Sequence, residues 1–366
     1  MTEFDRQEAF SGTQDSPPAL QLDHTGLCSY LADQLPEFSS VFRPDTLTIR
    51  QFKGGQSNPT YLLAHSEKSF VLRRKPPGPL LPSAHAVERE FRIIKALGSI
   101  GYPVPEAFHL CEDDTIIGSA FYLMEKVDGR IIWQPHIPGA SVEERQAIFG
   151  AMIDGLARLH TIDPDRVGLG DFGKPRNYVA RQIKRWSSQY TASETVSLPD
   201  MDWLIDWLPS AFPSDQASGQ PGRIVHGDYR LDNLILHPVR SEIRAVLDWE
   251  LSTLGDPIAD FTYHLMQWYL PPSGNGQGVG SLLRDDLAAL GIPDAERYCA
   301  TYEEKTGFAV RGRLTVYLAY NMFRLAAIFQ GIAGRVRDGT ASSSNATAVA
   351  SMVGPIAKAA RKLVDG

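Results

Sequence analysis

Residues Ile224–Glu250 read IVHGDYRLDNLILHPVRSEIRAVLDWE. A short apolar strand leads into His226-Gly227-Asp228, and a polar loop carries the chain to Asn233. Leu234-Ile235-Leu236 leaves that loop, the polar run HPVRSE reverses direction, and Ile243–Leu247 returns to Asp248. Two apolar runs around a polar turn are the signature of a hairpin. The hairpin places Asn233 and Asp248 at one end, with Asp228 presented just before them. Two carboxylates and an amide converging on one edge need a reason, because burying them unpaired is costly.

Phosphoryl transfer supplies that reason. A hard dication such as Mg²⁺ takes one or two protein oxygens and completes its shell with phosphate oxygens and water. Asn233 and Asp248 offer those oxygens. Asp228 stays off the metal, orients an acceptor hydroxyl and accepts its proton. An Asp followed five residues later by Asn, then a second Asp beyond a hairpin, is the division of labour in the protein-kinase catalytic loop. The second motif here is Leu247-Asp248-Trp249-Glu250 rather than Asp-Phe-Gly, which argues against a protein kinase with a regulated activation segment.

Five stretches together carry a family resemblance: GGQSNPTY at Gly54–Tyr61, FVLRRKPPG at Phe70–Gly78, AVEREF at Ala86–Phe91, HGDYRLDN at His226–Asn233 and LDWELSTLGDPIADF at Leu247–Phe261. On these the chain resembles the aminoglycoside-phosphotransferase-like small-molecule kinases, closest to the subgroup whose kinase domain also occurs fused to acyl-CoA dehydrogenases. The resemblance covers about residues 25 to 340. It implies an α+β, bilobal, protein-kinase-like fold. A flexible arm over 1–21 would precede a small antiparallel-sheet lobe over 22–127 and a larger, mainly helical lobe over 128–366.

Composition is compatible with this. The 366 residues suffice for two domains or one large one. Lys and Arg number 36 against 43 Asp and Glu, a formal charge of −7, so no nucleic-acid partner is indicated. Cys28, Cys111 and Cys299 are too few and too scattered for a disulfide framework or a metal-ligand spacing. No run of 18 apolar residues and no export signal occurs, so a cytoplasmic protein away from membranes is expected.

Leu22–Leu35 predicts a short helix capped near Asp23, and Leu47–Phe52, Thr60–Ala64 and Ser69–Arg73 predict strands. The loop between the first two strands holds Gly54, Gly55, Gln56, Ser57 and Asn58. The resemblance implies that it covers the ATP phosphates; a plain hairpin turn is the alternative. Arg73 stands where the resembling kinases hold a strand lysine, with Arg74 and Lys75 as rivals. Strand alternation puts Arg73 and Lys75 on the face of Val71 and Arg74 on the other. The helix predicted over Ala86–Leu97 has the apolar stripe Val87, Phe91, Ile94 and Leu97. Glu90 lies off that stripe and is the expected partner of Arg73, with Glu88 as rival. The strand Ala120–Val127 becomes the hinge, where the backbone near Glu125, Lys126 and Val127 would read adenine beside Met124.

Farther on, Val142–His160 is an amphipathic helix. His160 and Asp163 are read as packing and turn groups. Arg181, Lys184 and Arg185, on the helix Asn177–Gln189, either meet an anionic substrate or face water. Trp203 and Trp207 are assigned to core packing. His226 is expected to fix its loop, and Asp260 to tie down the backbone of 226–228 through charge-assisted hydrogen bonds. Glu250 is a candidate acid beside the metal. Arg230 either forms a salt bridge or meets the transferred group. Ala346–Leu363 reads as one terminal helix that caps the lobe or joins a dimer.

The resulting expectation is an ATP- and Mg²⁺-dependent kinase acting on a small-molecule hydroxyl. The subgroup makes a hydroxyacyl-CoA or hydroxy acid a reasonable acceptor, so the substrate can be anionic. The competing readings are a catalytically silent nucleotide-binding scaffold, suggested by Arg73 in place of lysine and the lost Gly of Asp-Phe-Gly; a protein serine/threonine kinase; and a metal hydrolase built on Asp228, Asp248 and His226.

Overall fold

The alternating runs near the amino terminus pair into one antiparallel sheet. The computed structural model describes residues 6–54, 58–78, 85–213, 222–273, 279–339 and 346–365. Its strands are β1 (Thr13–Gln14), β2 (Thr48–Phe52), β3 (Thr60–Ala64), β4 (Phe70–Arg74), β5 (Ala107–Cys111) and β6 (Phe121–Glu125), in the order β1-β2-β3-β4-β6-β5. The register sets Arg73 opposite Tyr122 and Val71 opposite Met124. Cross-strand neighbours share a face, so these four side chains point one way. Phe70, Leu72, Phe121 and Leu123 point the other way, into a core completed by Leu27 and Leu31. Those two leucines come from the helix His24–Gln34, whose cap is Asp23, accepting from the Gly26 N–H at 3.0 Å.

The same alternation separates the three basic residues. Arg74 lies on the core side and donates to Ser119 at 2.9 Å, whereas Lys75 pairs with Glu88 at 2.9 Å. The expected flexible arm is tied down from Arg6 onward. Arg6–Phe10 is a helical turn, β1 extends the sheet edge, and the Tyr61 hydroxyl donates to the Leu20 carbonyl at 2.7 Å. Strand pairing and one buried hydrogen bond outweigh the polar composition of the arm.

By internal packing the chain divides into two compact units. One comprises Gln7–Ile131 and Asn233–Leu251; the other comprises Met1–Arg6, Ile132–Asp232 and Ser252–Gly366. The predicted hairpin is present as β8 (Leu234–Leu236) and β9 (Ile243–Val246), and it belongs with the sheet unit. The strand before His226-Gly227-Asp228, β7 (Arg223–Val225), pairs with β10 (Thr253–Gly255) in the helical unit.

In the helical unit, Val142–Thr161 is capped by Ser141, which accepts from the Glu144 N–H at 3.2 Å. Leu314–Arg337 is apolar on most faces and accordingly buried along most of its length. Two expectations are corrected here. The terminal segment is two helices, Ala346–Ala350 and Val353–Asp365, separated at Ser351-Met352. Trp203 and Trp207 are half-buried rather than core; they stack on each other at 5.3 Å, and Arg361 sits over Trp203 at 5.1 Å. Cys28, Cys111 and Cys299 are free and buried. Among the described residues, no helix is long and apolar enough to cross a membrane.

Candidate active site

In the sheet unit the site is organised by one buried cation. Arg73 Nε lies 2.9 Å from Glu90, and a terminal nitrogen lies 2.7 Å from Asp248 and 3.5 Å from Glu250. Burial alone would lower the Arg73 pKa; Glu90, Asp248, Tyr122 and Glu250 outweigh that and raise it. Glu90 is not off the apolar stripe. It is buried between Val87 and Ile94 on the helix Val87–Gly98, while Phe91 is only half-buried. A carboxylate there needs partners, and it has three: Arg73, the Tyr122 hydroxyl at 3.1 Å and the Asn58 amide at 2.8 Å. Burial pushes the Glu90 carboxyl up, against the opposing pull of Arg73.

Asn233 and Asp248 meet at the open end of the hairpin. Leu234 pairs with Val246, and the Leu247 N–H donates to the Asn233 carbonyl at 2.8 Å. Asp248 has φ +65°, a left-handed conformation that costs free energy for a residue with a Cβ and clusters at functional sites. Trp249 anchors the segment edge-on to Tyr102, with ring centroids 6.0 Å apart. The Asp248 carboxylate and the Asn233 side-chain amide are hard oxygen donors of the kind Mg²⁺ prefers. No group of three or more His, Cys, Asp or Glu suited to a metal occurs among the described residues. A cation completed by phosphate oxygens needs no such group.

The candidate catalytic loop, residues 226–232, belongs to the helical unit. Asp260, in the first turn of the helix Pro257–Leu265, accepts from the His226 and Gly227 N–H groups at 2.7 Å each. His160 bridges Asp260 at 3.0 Å and the Tyr302 hydroxyl at 2.5 Å. Burial alone would raise Asp260; the His160 hydrogen bond and the His226 N–H overcome that and hold it below the usual carboxylate range. His226 Nδ1 accepts from the Asp228 N–H at 3.2 Å, the loop-fixing role expected of it. Asp228 Oδ1 accepts from Tyr263 at 2.7 Å and lies 3.0 Å from Arg230. Arg230 also reaches Asp232 at 3.3 Å, so it forms a salt bridge.

The nucleotide-side candidates divide. Gly54 is described, while Gly55, Gln56 and Ser57 lie outside the described residues. Asn58 is fully buried, with its amide on Glu90 and its oxygen 2.9 Å from His85. It therefore positions Glu90 instead of presenting its side chain to a phosphate. The Glu125 N–H is occupied by the Glu106 carbonyl at 2.8 Å, so it is not open to an adenine edge. Lys126 pairs with Asp128. Val127 makes no backbone hydrogen bond among the described residues, and Met124 is buried. Arg181, Lys184 and Arg185 are exposed.

The profile of the phosphotransferase enzyme family matches residues 48–309, which include the residues described above in each unit. The chain belongs to that family. A crystal structure of a Ralstonia eutropha protein provisionally named an aminoglycoside phosphotransferase is 44% identical with a TM-score of 0.81, covering 94% of this phosphotransferase and 99% of that chain. Choline kinase from Cryptosporidium parvum shares the protein-kinase-like fold, with a TM-score of 0.62 at 12% identity over 93% and 96% of the two chains. Mouse acyl-CoA dehydrogenase family member 10 is 48% identical over 82% of this phosphotransferase and 28% of its own length. Rat acyl-CoA dehydrogenase family member 11 is 39% identical over 94% and 44%. The chain thus spans less than half the length of these two relatives.

The contacts of three neighbours of the site escaped the sequence reading. Tyr122 was accessible in principle, because alternation and pairing put it beside Arg73. Tyr263 and Arg324 were not; they reach Asp228 and the Gly227 carbonyl from 35 and 97 residues away. The packing behind this phosphotransferase's loop also makes a pH prediction. His264 is fully enclosed between Tyr229 and Tyr298, and burial lowers its pKa to about 4. The unfolded chain, with an ordinary histidine near 6.5, takes up the proton first, so stability is lost as pH falls from about 6.5 toward 4. Between pH 7.5 and 5 this group removes about 2 kcal/mol. In urea titrations at both pH values, His264→Phe should lose that much less than the parent. Equal losses would refute the assignment.

Proposed function

We propose that this phosphotransferase moves the γ-phosphoryl group of ATP to a hydroxyl of a small molecule. The observation that supports it most is Arg73, a buried strand cation held at 2.9 Å by a helix acid and at 2.7 Å by the acid that follows the hairpin. A cation fixed in this way is preorganised for phosphate oxygens, and its planar fork suits them. Asn233 and Asp248 would hold Mg²⁺, which when bound neutralises charge on the phosphates.

Asp228 aims the acceptor hydroxyl and takes its proton on a carboxylate oxygen. Tyr263 and Arg230 steady that carboxylate, and Asp260 sets the loop beneath it. The loop is thereby positioned before the acceptor arrives, which is where much of the catalytic advantage of a kinase lies. The names of the relatives, acyl-CoA dehydrogenase family members 10 and 11, favour an acceptor from acyl chemistry, such as a hydroxyacyl-CoA or a hydroxy acid.

The test is an ADP-release assay with Mg²⁺ across hydroxyacyl thioesters, hydroxy acids, sugars and amino alcohols. Release that depends on one hydroxyl class supports the proposal. Mg²⁺-dependent ATP binding with no acceptor-dependent release from any class would leave a nucleotide-binding scaffold, and phosphate-ester hydrolysis without nucleotide would replace the kinase with a hydrolase.

A further inference from the structure

The Arg73 guanidinium is a planar fork rather than a point charge, so the angle at which its partners hold it decides where its N–H groups aim. Glu90 is the partner beside Nε, at 2.9 Å. Whatever holds Glu90 therefore helps to set Arg73. One carboxylate oxygen accepts from the Tyr122 hydroxyl at 3.1 Å, and the other accepts from the Asn58 amide at 2.8 Å. Arg73, Glu90, Tyr122 and Asn58 all belong to the sheet unit, and each is buried.

The contacts continue to His85, whose Nδ1 lies 2.9 Å from the Asn58 side-chain oxygen. Donor chemistry sets the direction of each bond. Glu90 accepts, so Asn58 turns its NH₂ group toward Glu90 and its carbonyl oxygen toward His85. A carbonyl oxygen only accepts, so the imidazole carries its proton on Nδ1. Burial and the Arg73 charge both lower the His85 pKa, so at neutral pH the ring is uncharged and that N–H is the one it has. His85 keeps this place at a cost. Its φ is +58°, left-handed backbone that a residue with a Cβ pays free energy to adopt. It stands two positions before the helix Val87–Gly98, which carries Glu90, and its carbonyl accepts from the Val87 N–H at 2.9 Å.

We propose that His85 is a positioning residue for nucleotide binding: its Nδ1–H fixes Asn58, Asn58 fixes Glu90, and Glu90 sets the plane of the Arg73 guanidinium that meets the phosphates. The inference rests on the kinase reading for the phosphates, and on the hydrogen bonds for the order of the chain. Without the Nδ1 donor the Asn58 oxygen is buried and unsatisfied, and its amide is released to turn away from Glu90. Glu90 then keeps Tyr122 but loses the bond on its other oxygen, so its carboxylate plane is no longer held at both ends. Because the bonds run without a break from a half-buried ring to a buried cation, a change at His85 is felt at Arg73.

The experiment uses the full chain with isotope-labelled histidine and two variants, His85→Asn and His85→Gly, both of which tolerate left-handed backbone. Asparagine places an amide N–H where Nδ1 stands; glycine supplies none. Nitrogen NMR at neutral pH should show the His85 ring protonated on Nδ1, with its signals assigned by their loss in the variants. Calorimetry with ATP and Mg²⁺ should show His85→Gly binding about 10-fold more weakly than the parent, and His85→Asn within about threefold of it. An Nε2–H ring overturns the proposal, and so does equal ATP affinity in the parent and His85→Gly. Equal weakening in the two variants overturns it too, because the bulk of the ring and not its Nδ1 donor would then be what matters. A parent chain that binds no ATP while its His85 ring is protonated on Nδ1 defeats the kinase reading instead, and leaves the hydrogen-bond order from His85 to Arg73 standing.

Discussion

Asp228→Asn lowers kcat by about 10²–10⁴-fold and leaves the Kd for ATP within about twofold of the parent value. The substitution keeps the size of the side chain, and an amide oxygen can still accept from Tyr263. It removes the charge that faces Arg230 and the basicity that the acceptor proton requires. Because Asp260, not Asp228, anchors the His226 and Gly227 N–H groups, the loop itself should survive. Steady-state kinetics with calorimetric ATP binding decides the matter. Parent-like turnover removes Asp228 from the chemistry, and a large loss of ATP binding means that it serves the nucleotide instead.

Asp248→Asn acts on both binding and turnover. Mg²⁺-assisted ATP binding should weaken by about 10–100-fold and kcat/KM should fall by about 10²–10³-fold. The change removes one anion from Arg73, which retains Glu90 and Glu250. Asparagine tolerates the left-handed backbone at φ +65° as well as aspartate does, so strain does not confound the result. ATP titrations with and without Mg²⁺ separate the effects. A variant whose ATP affinity still rises with Mg²⁺ as steeply as the parent's would take Asp248 out of the metal site.

Much of this molecule is readable along the chain. The hairpin Leu234–Val246, the alternation that separates Arg73 from Arg74, and the cap on His24–Gln34 each depend on residues close in sequence. Glu90 is more instructive. Its spacing of three from Val87 and four from Ile94 already put it on the buried face, yet the sequence reading set it off the apolar stripe as the expected partner of Arg73. Its partners, Arg73, Tyr122 and Asn58, are long-range, and they are what make that burial affordable. Asn58 was assigned to phosphate because the family resemblance puts its loop there, and nothing local shows that its amide faces Glu90.

The sequence by itself singled out the proposed chemistry-bearing set, Asp228, Asn233 and Asp248, and the strands and helices that carry them, because periodicity, turn residues and caps act over a few positions. Only the tertiary structure decided what surrounds those groups: Asp260 and His160 beneath the loop, Tyr263 on Asp228, three acids around Arg73, and Arg324 on the Gly227 carbonyl. Desolvation and pairing are properties of a position in three dimensions, and no local pattern encodes which distant side chain will satisfy a buried charge or leave it unsatisfied.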